Sequence, residues 1–319
     1  MMRKAALLYN PDSGGHRLRR QAELESVVKL LRSAGVDSEL VLSQSRADAG
    51  EHTRQAIASG CDTIFACGGD GTIHNVIQAL AKSPVALAIL PMGTANALAH
   101  DLNLPSNVIA AAQSALHATP RRIALGRVHF VDFEGKPGTR YFIVMAGIGV
   151  DAHLFYKLHA GSKQQLGMAA YYAKAWRLWL THRLRYFSAE YAETGNAERR
   201  SAHVTELMAV NIRNFGGVLQ ELAPGASLDR DDLRLVVSRT GSRTAYLAYV
   251  TRGLLRQRWT IPGVDLVHSS KVSCQYLSPL VSGAPHQKIY VEADGELLGT
   301  LPVEMTAMPD ALTLLAPSQ

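Results

Sequence analysis

Cysteine is scarce: Cys61, Cys67 and Cys274 are the three in 319 residues. An odd, scattered set excludes a disulfide framework and gives no zinc-ligand spacing, so a reducing compartment is expected. Long hydrophobic runs are also missing. The most apolar stretch, Val85–Met92, falls far short of the ~20 residues that a membrane-spanning helix needs. The opening MMRKAALLYNPDSGG has no apolar run of signal-peptide length. These absences predict a cytoplasmic protein whose membrane contact is peripheral. Neither charge sign dominates, with 33 Lys+Arg against 27 Asp+Glu and a formal net charge of +6. That excess suits a nucleotide or an anionic membrane surface and is too small to predict a nucleic-acid partner. There is no internal repeat, low-complexity tract or flexible linker.

What is present is a foldable globular composition, 47% hydrophobic and 19% charged. At ~150 residues per domain the length suggests about two domains. The first part alternates strand and helix patterns. Ala5–Tyr9, Leu40–Leu42, Thr63–Cys67 and Ala86–Leu90 read as strands. Helical patterns cover residues 17–34, 47–59 and 72–82, and another helix begins near Thr94. Such alternation predicts a parallel sheet with ligands at the carboxyl ends of its strands. After Pro120 the pattern changes to an antiparallel β domain. Its expected strands are Arg122–Phe130, Tyr141–Ala146, His203–Asn211, Leu233–Ser238, Val264–Tyr276 and Lys288–Glu292. Helical patterns interrupt it near 163–182 and 243–256. The expected domains are 1–120, an α/β nucleotide-binding unit to which 306–319 returns, and 121–305.

Three small-residue turns end predicted strands. Gly68-Gly69-Asp70-Gly71-Thr72 lies between a strand and a helix, where glycines let backbone approach a phosphate and a helix start offers free N–H groups. Asp70 suits a divalent cation bridging to the phosphates, or it is simply a helix cap. Pro91-Met92-Gly93-Thr94-Ala95-Asn96 forms a second turn, in which Thr94 can cap the helix or donate to a phosphate. Asn10-Pro11-Asp12-Ser13-Gly14-Gly15 is the third and by itself an ordinary turn. Far downstream, Asp294-Gly295-Glu296 offers two carboxylates, as a general base or as a plain hairpin turn. The twelve histidines show no ligand spacing, and His74 and His100 read as surface residues. Cys67 reads as buried.

Together these motifs resemble the diacylglycerol kinase catalytic-domain family of lipid kinases. Ala146-Gly147-Ile148-Gly149-Val150-Asp151-Ala152 and Gly216-Gly217 with Ala223-Pro224 add to the likeness, which covers essentially the whole chain. The resemblance implies an α/β domain and a β-sandwich domain with the active site between them. It implies ATP-dependent phosphorylation of a lipid hydroxyl, diacylglycerol for example, with ATP and Mg2+ as cofactors. Gly68, Gly69, Asp70, Gly71 and Thr72 would bind the ATP phosphates, with Asp70 at the magnesium ion. Gly93, Thr94 and Asn96 would complete the nucleotide site, and Asn10 and Ser13 would line it. Asp294 would be the general base, with Glu296 close by. Phosphoryl transfer needs positioning and charge neutralisation more than covalent chemistry, and this set supplies both.

The chain departs from the family pattern in places. Asn75 stands where many members have Glu, and Ala97 where an Asp often follows. Arg230 and Arg234 occupy positions where bacterial members usually carry acids of a structural magnesium site. Arginines cannot ligate a cation, so that magnesium is expected to be absent or replaced by a salt bridge to Asp229 or Asp231. Two stretches interleave aromatic and basic residues, Tyr171–Tyr186 and Arg243–Trp259. They suit interfacial helices at an anionic bilayer, or amphipathic helices packed on the β domain. The alternatives to a lipid kinase are an NAD kinase, which shares the GGDGT turn, and a nucleotide- or lipid-binding protein without catalysis.

Overall fold

The computed structural model describes residues 2–11, 17–43, 46–149, 184–216, 221–277 and 288–317. Four strands come first: β1 (Lys4–Tyr9), β2 (Asp37–Leu42), β3 (Thr63–Gly68) and β4 (Ala86–Pro91). They pair in parallel in the order β4-β3-β1-β2. β3 and β4 are buried at every residue, as continuous apolar strands covered on both faces should be. On β1, Ala6 and Leu8 join a core with α3 (Asp70–Leu80) and α4 (Ala97–Asp101), while Ala5, Leu7 and Tyr9 face the opposite layer. That layer is built from α1 (Arg17–Ser33) and α5 (Val108–His117). α2 (Arg46–Ala58) packs beside α3.

The remaining strands are β5 (Thr119–Val131), β6 (Pro137–Phe142), β7 (Met145–Gly149), β8 (Phe187–Ala192), β9 (Arg199–Val204) and β10 (Glu206–Val210), then β11 (Leu233–Ser238), β12 (Val264–Ser269), β13 (Lys271–Gln275), β14 (Tyr290–Ala293) and β15 (Glu296–Ala316). α6 (Arg243–Leu254) separates β11 from β12. Phe142, Phe187, Leu207, Leu235 and Met305 lie in the core that these strands enclose. Three expected strands are each two. The stretch 141–146 breaks between β6 and β7, 203–211 breaks at Thr205, and 264–276 breaks at Ser270. Ile143 and Val144 carry apolar sequence across the first break, and the other two fall at polar residues with no Gly or Pro to mark them. The 163–182 helical pattern lies outside the described residues.

β15 joins the two parts of the molecule. It pairs antiparallel with β14, β13 and β5, then parallel with β4 through Thr313↔Ala86 and Leu314↔Leu87. Side chains reinforce that junction. The Gln78 amide donates to Tyr141 O at 2.8 Å and accepts from Tyr141 N at 2.9 Å. Asp101 Oδ1 accepts from Arg213 N and Asn214 N at 2.9 and 2.8 Å. Within the β domain, Asn211 donates to Ala124 O at 3.2 Å and to Ile143 O at 3.3 Å. Each such bond is worth about 1 kcal/mol net, so the junction is held by several modest contacts. Among the described residues, no helix is long and apolar enough to cross a membrane.

Candidate active site

The glycine turn begins as strand and ends as helix. Gly68 closes β3, Gly69 is the N-cap of α3, and Asp70-Gly71-Thr72 forms its first turn. α3 therefore starts two residues earlier than the spacing predicts. Gly68 is required by Thr72, whose Oγ1 would stand 2.2 Å from any added Cβ. The second turn closes on itself. Gly93 N donates to Asn96 Oδ1 at 2.9 Å, and Asn96 Nδ2 donates back to Gly93 O at 3.0 Å. Asn96 holds the left-handed backbone this needs, at φ 50°. It, not Thr94, is the N-cap of α4, and Thr94 stays exposed. The expected capping by Thr94 is thus corrected, because the turn carries the chain past it before the helix begins.

The two turns touch through their glycines. A Cβ on Gly93 would stand 2.4 Å from Gly69 Cα, and one on Gly69 would stand 3.0 Å from Gly93 Cα. Bare backbone therefore faces a cleft of about 230 Å³, partly open to solvent. Gly69, Gly71, Thr72, Gly93, Thr94 and Asn10 line it at the carboxyl ends of the parallel strands. Ser13 falls outside the described residues. Sequence reading missed Arg20 on α1 and Ser43 after β2, which also line the cleft. No local motif marks either one; the fold brings them in. Asn75 lines the cleft too, and its amide donates to Gly71 O at 2.9 Å. A Glu there could not make that bond.

Asp70 follows the N-cap Gly69, and its own amide is among the backbone donors to its carboxylate. Its carboxylate accepts backbone N–H bonds from Ala97 and Leu98 and so serves the start of α4. That ties the two turns together and places the carboxylate at a favourable helix end. Its Oδ1 is buried and has no partner. Burial first, then the nearby Asp294 charge, pushes its pKa above the ordinary carboxylate value, and the α4 amides oppose this. A buried carboxylate oxygen without a partner, beside a second carboxylate, fits a divalent cation. Among the described residues no group of three or more His, Cys, Asp or Glu could hold a metal. Magnesium suits such a sparse set, since it binds through one or two carboxylates plus substrate phosphates and water.

Asp294 and Gly295 form the turn between β14 and β15, with φ of 48° and 79°. The tight Asp-Gly hairpin and the inward carboxylate are thus one feature. Asp294 Oδ1 accepts from Val144 N at 2.9 Å and Met145 N at 3.1 Å. Its Oδ2 accepts from Ile143 N at 3.0 Å and lies 3.2 Å from His74 Nδ1. The side chain is 1% exposed and that of His74 3%. His74 is therefore corrected from a surface residue to a buried partner of Asp294. It lies four residues after Asp70 and four before Gln78, so the three form one polar stripe on α3. The apolar Ile73, Val76, Ile77 and Leu80 masked that stripe in the sequence. His100 is at the surface, its ring over Gly216. Glu296 comes from the first residue of β15 to the mouth of the glycine turn. Its Oε1 is 3.6 Å from where a Gly71 Cβ would stand. Cys67 is fully buried.

The segment around Arg230 is built from ion pairs. Arg230 grips Asp232 through Nε at 2.7 Å and Nη2 at 2.8 Å. The expected pairing with Asp229 or Asp231 is corrected, since Asp229 bonds Arg121 at 2.6 Å. Asp232 also lies 3.0 Å from His268 Nδ1. Burial alone would raise Asp232, but the Arg230, Thr194 and His268 contacts outweigh it and hold the carboxyl at about 2.

Two family models match the chain. The family model for the diacylglycerol kinase catalytic domain covers residues 4–128. The model for the YegS C-terminal NAD kinase beta sandwich-like domain covers residues 144–316. A diacylglycerol kinase of Bacillus subtilis (strain 168) is 25% identical over 100% of this chain and 98% of its own length. One of Staphylococcus aureus (strain MRSA252) is 24% identical over 100% and 94%. Among solved structures, a diacylglycerol kinase from Bacillus anthracis str. Sterne superposes with a TM-score of 0.70 at 18% identity, over 99% of this chain and 97% of that one. Yeast NADH kinase, solved with NADH, superposes at 0.52 and 10% identity over 100% and 84%, and shares the fold. A mixed α/β sheet with glycine turns at its strand ends and a C-terminal β sandwich places this chain in the diacylglycerol kinase catalytic-domain family, a family of lipid kinases.

Proposed function

We propose that the protein transfers the γ-phosphate of ATP to the hydroxyl of a membrane lipid of the diacylglycerol type. The observation that carries this reading is the partnerless buried oxygen of Asp70, set between two turns of bare backbone. ATP phosphates would lie against the backbone of Gly69, Gly71 and Gly93, at the first turn of α3, where helix N–H groups suit an anion. Asn10 and Thr72 line the same cleft, and Arg20 adds a cation. Asp70 would hold Mg2+, which supplies neutralisation of phosphate charge. Asp294 takes the proton of the lipid hydroxyl, and His74 positions it. The bonds from Ile143, Val144 and Met145 fix its direction.

One observation favours a second assignment. All four neighbours of the Asp294 oxygens can donate, and the side chain is 1% exposed. Glu296 instead stands beside Gly71 at the cleft. In that assignment Glu296 accepts the proton and Asp294 locks the β14–β15 turn against α3. Asp294→Asn and Glu296→Gln separate the two when ATP binding and lipid phosphorylation are both measured. Loss of a general base lowers turnover by roughly 10²–10⁴-fold. The first assignment expects that loss in Asp294→Asn, with ATP affinity kept. Full turnover in Asp294→Asn with loss in Glu296→Gln moves the role to Glu296.

The basic aromatic stretch Arg243–Trp259 supports membrane contact. On α6 and just beyond, Leu247, Val250, Leu254, Leu255 and Trp259 are exposed. Leu247, Val250 and Leu254 share one helix face at i, i+3 and i+7. Arg256 and Arg258 follow, as an anionic bilayer surface would favour. The Tyr171–Tyr186 stretch lies almost entirely outside the described residues.

A further inference from the structure

One buried charge plays no part in the proposed chemistry. Arg252, on α6, is 4% exposed, and its Nε and Nη2 are buried without a hydrogen-bond partner. Its guanidinium stacks on the Tyr249 ring, 4.5 Å from the centroid, which fixes its plane. An arginine stays ionised in a protein, so it cannot escape the cost of burial by losing its proton. The side chain lines a depression of about 590 Å³ on the β domain, together with Arg213, Arg234 and Arg258. This depression shares no lining residue with the glycine-turn cleft.

Among the described residues, the depression itself sets one carboxylate against four guanidinium groups, while Glu193, Glu198 and Asp265 line the adjoining one. Glu221 lines the depression. Asp232 is already held by Arg230 and His268. Glu206 lies near Tyr246 and Tyr249, whose hydroxyl pKa values rise through burial and then through its charge. Arg234 is drawn to Pro224 O at 2.8 Å. Burial, then the Arg230 charge, pushes its pKa down, with Arg252 adding to the effect. Burial and then Arg234 push His268 down as well. The depression is thus a region of crowded positive charge with two donors already desolvated.

We infer that this depression is a second anion site, built for a phosphate group and separate from the nucleotide cleft. Planar guanidinium forks match phosphate oxygens, and desolvated donors make the strongest such bonds. The phosphate has two possible sources, an acidic phospholipid headgroup or a soluble phosphate. The exposed Trp259 stands with Arg252 and Arg258 on the adjoining depression, within reach of either.

The test titrates inorganic phosphate into the full-length protein at constant ionic strength, with chloride as control, and follows the thermal midpoint. Phosphate should raise the midpoint of the wild type, because a ligand bound only by the folded state stabilises it. Arg252→Met and Arg258→Ala should each weaken phosphate binding about tenfold or more. Gly93→Ala, which obstructs the nucleotide cleft, should keep the response. Arg252→Met removes the guanidinium and keeps an apolar side chain against Tyr249. If that variant does not fold, Arg258→Ala carries the test, as its side chain is exposed. Sedimentation with phosphatidylcholine vesicles, with and without phosphatidic acid, separates the sources. Capture that depends on Arg252 assigns a lipid headgroup, and a response to soluble phosphate alone assigns the other source. No phosphate response in the wild type, or one lost in Gly93→Ala and kept in both arginine variants, overturns the proposal.

Discussion

At the scale of single residues, Asp70 shows how one side chain serves two ends. Its carboxylate ties α3 to α4 through the Ala97 and Leu98 amides and keeps one buried oxygen without a partner. The charged form is costly in the fold, and its pKa is raised by burial and by Asp294. The sign follows from linkage. An acid with a raised folded pKa binds more protons folded than unfolded, so its charge lowers stability as pH rises through that interval. The cost is full above the folded pKa and absent below the unfolded value near 3.8. Asp70→Asn should therefore melt higher than wild type at neutral pH, with the gain fading in acid, and should lose the magnesium-dependent part of ATP binding. A variant that melts lower at neutral pH, or binds Mg-ATP normally, contradicts this role. Calorimetry across pH with parallel nucleotide titration measures both.

At the scale of elements, the two turns and α3 carry the design. Because Gly69 and Gly93 meet backbone to backbone, a methyl group at either forces the turns apart. Gly93→Ala should weaken ATP binding roughly tenfold or more, about 1.4 kcal/mol. ATP affinity equal to wild type would mean that phosphates do not lie there. Much of this was legible in sequence. Strand–glycine–helix spacing marks the parallel strands and their turns within about three residues, since φ freedom and helix starts are local properties. The partnership of His74 with Asp294 was not legible, because it joins residues 220 apart in the chain. Nor were Arg20 and Ser43, which reach the cleft only through tertiary packing. The strand break near residue 143 escaped because apolar residues continue across it, and those at 205 and 270 because no glycine or proline marks them.

The segment from Arg230 to Asp232 behaves as an element of its own. A local ion pair stands where the family pattern predicts acids. Asp232 titrates at about 2, below its unfolded value of 3.8. Its stabilisation is therefore present above 3.8 and lost as pH falls through about 2. Arg230→Ala should cost about 1–2 kcal/mol at neutral pH, a moderate figure because Arg230 is partly exposed, and the cost should shrink in acid. Denaturant unfolding at several pH values checks it, and a cost that grows in acid would refute the pairing.

At the scale of the whole molecule, β15 is the spine. It begins at the Asp294 hairpin, crosses the β domain and ends beside β4 at residues 313–314. The proposed base and the nucleotide turns are thus set by one continuous strand and by the α3 stripe. The proposed membrane contact would use the apolar face of α6 and the arginines after it. With a net charge of +6 spread over the chain, such contact should be aided by anionic lipid and screened by salt.

The central claim is tested most directly by following labelled γ-phosphate from ATP, with magnesium, into anionic mixed micelles. The micelles carry diacylglycerol, monoacylglycerol, ceramide, sphingosine or phosphatidylglycerol, and NAD serves as the soluble control. The account predicts label on a lipid hydroxyl, diacylglycerol first, and none on NAD. Label on NAD alone, or none on any acceptor while ATP still binds, would contradict it.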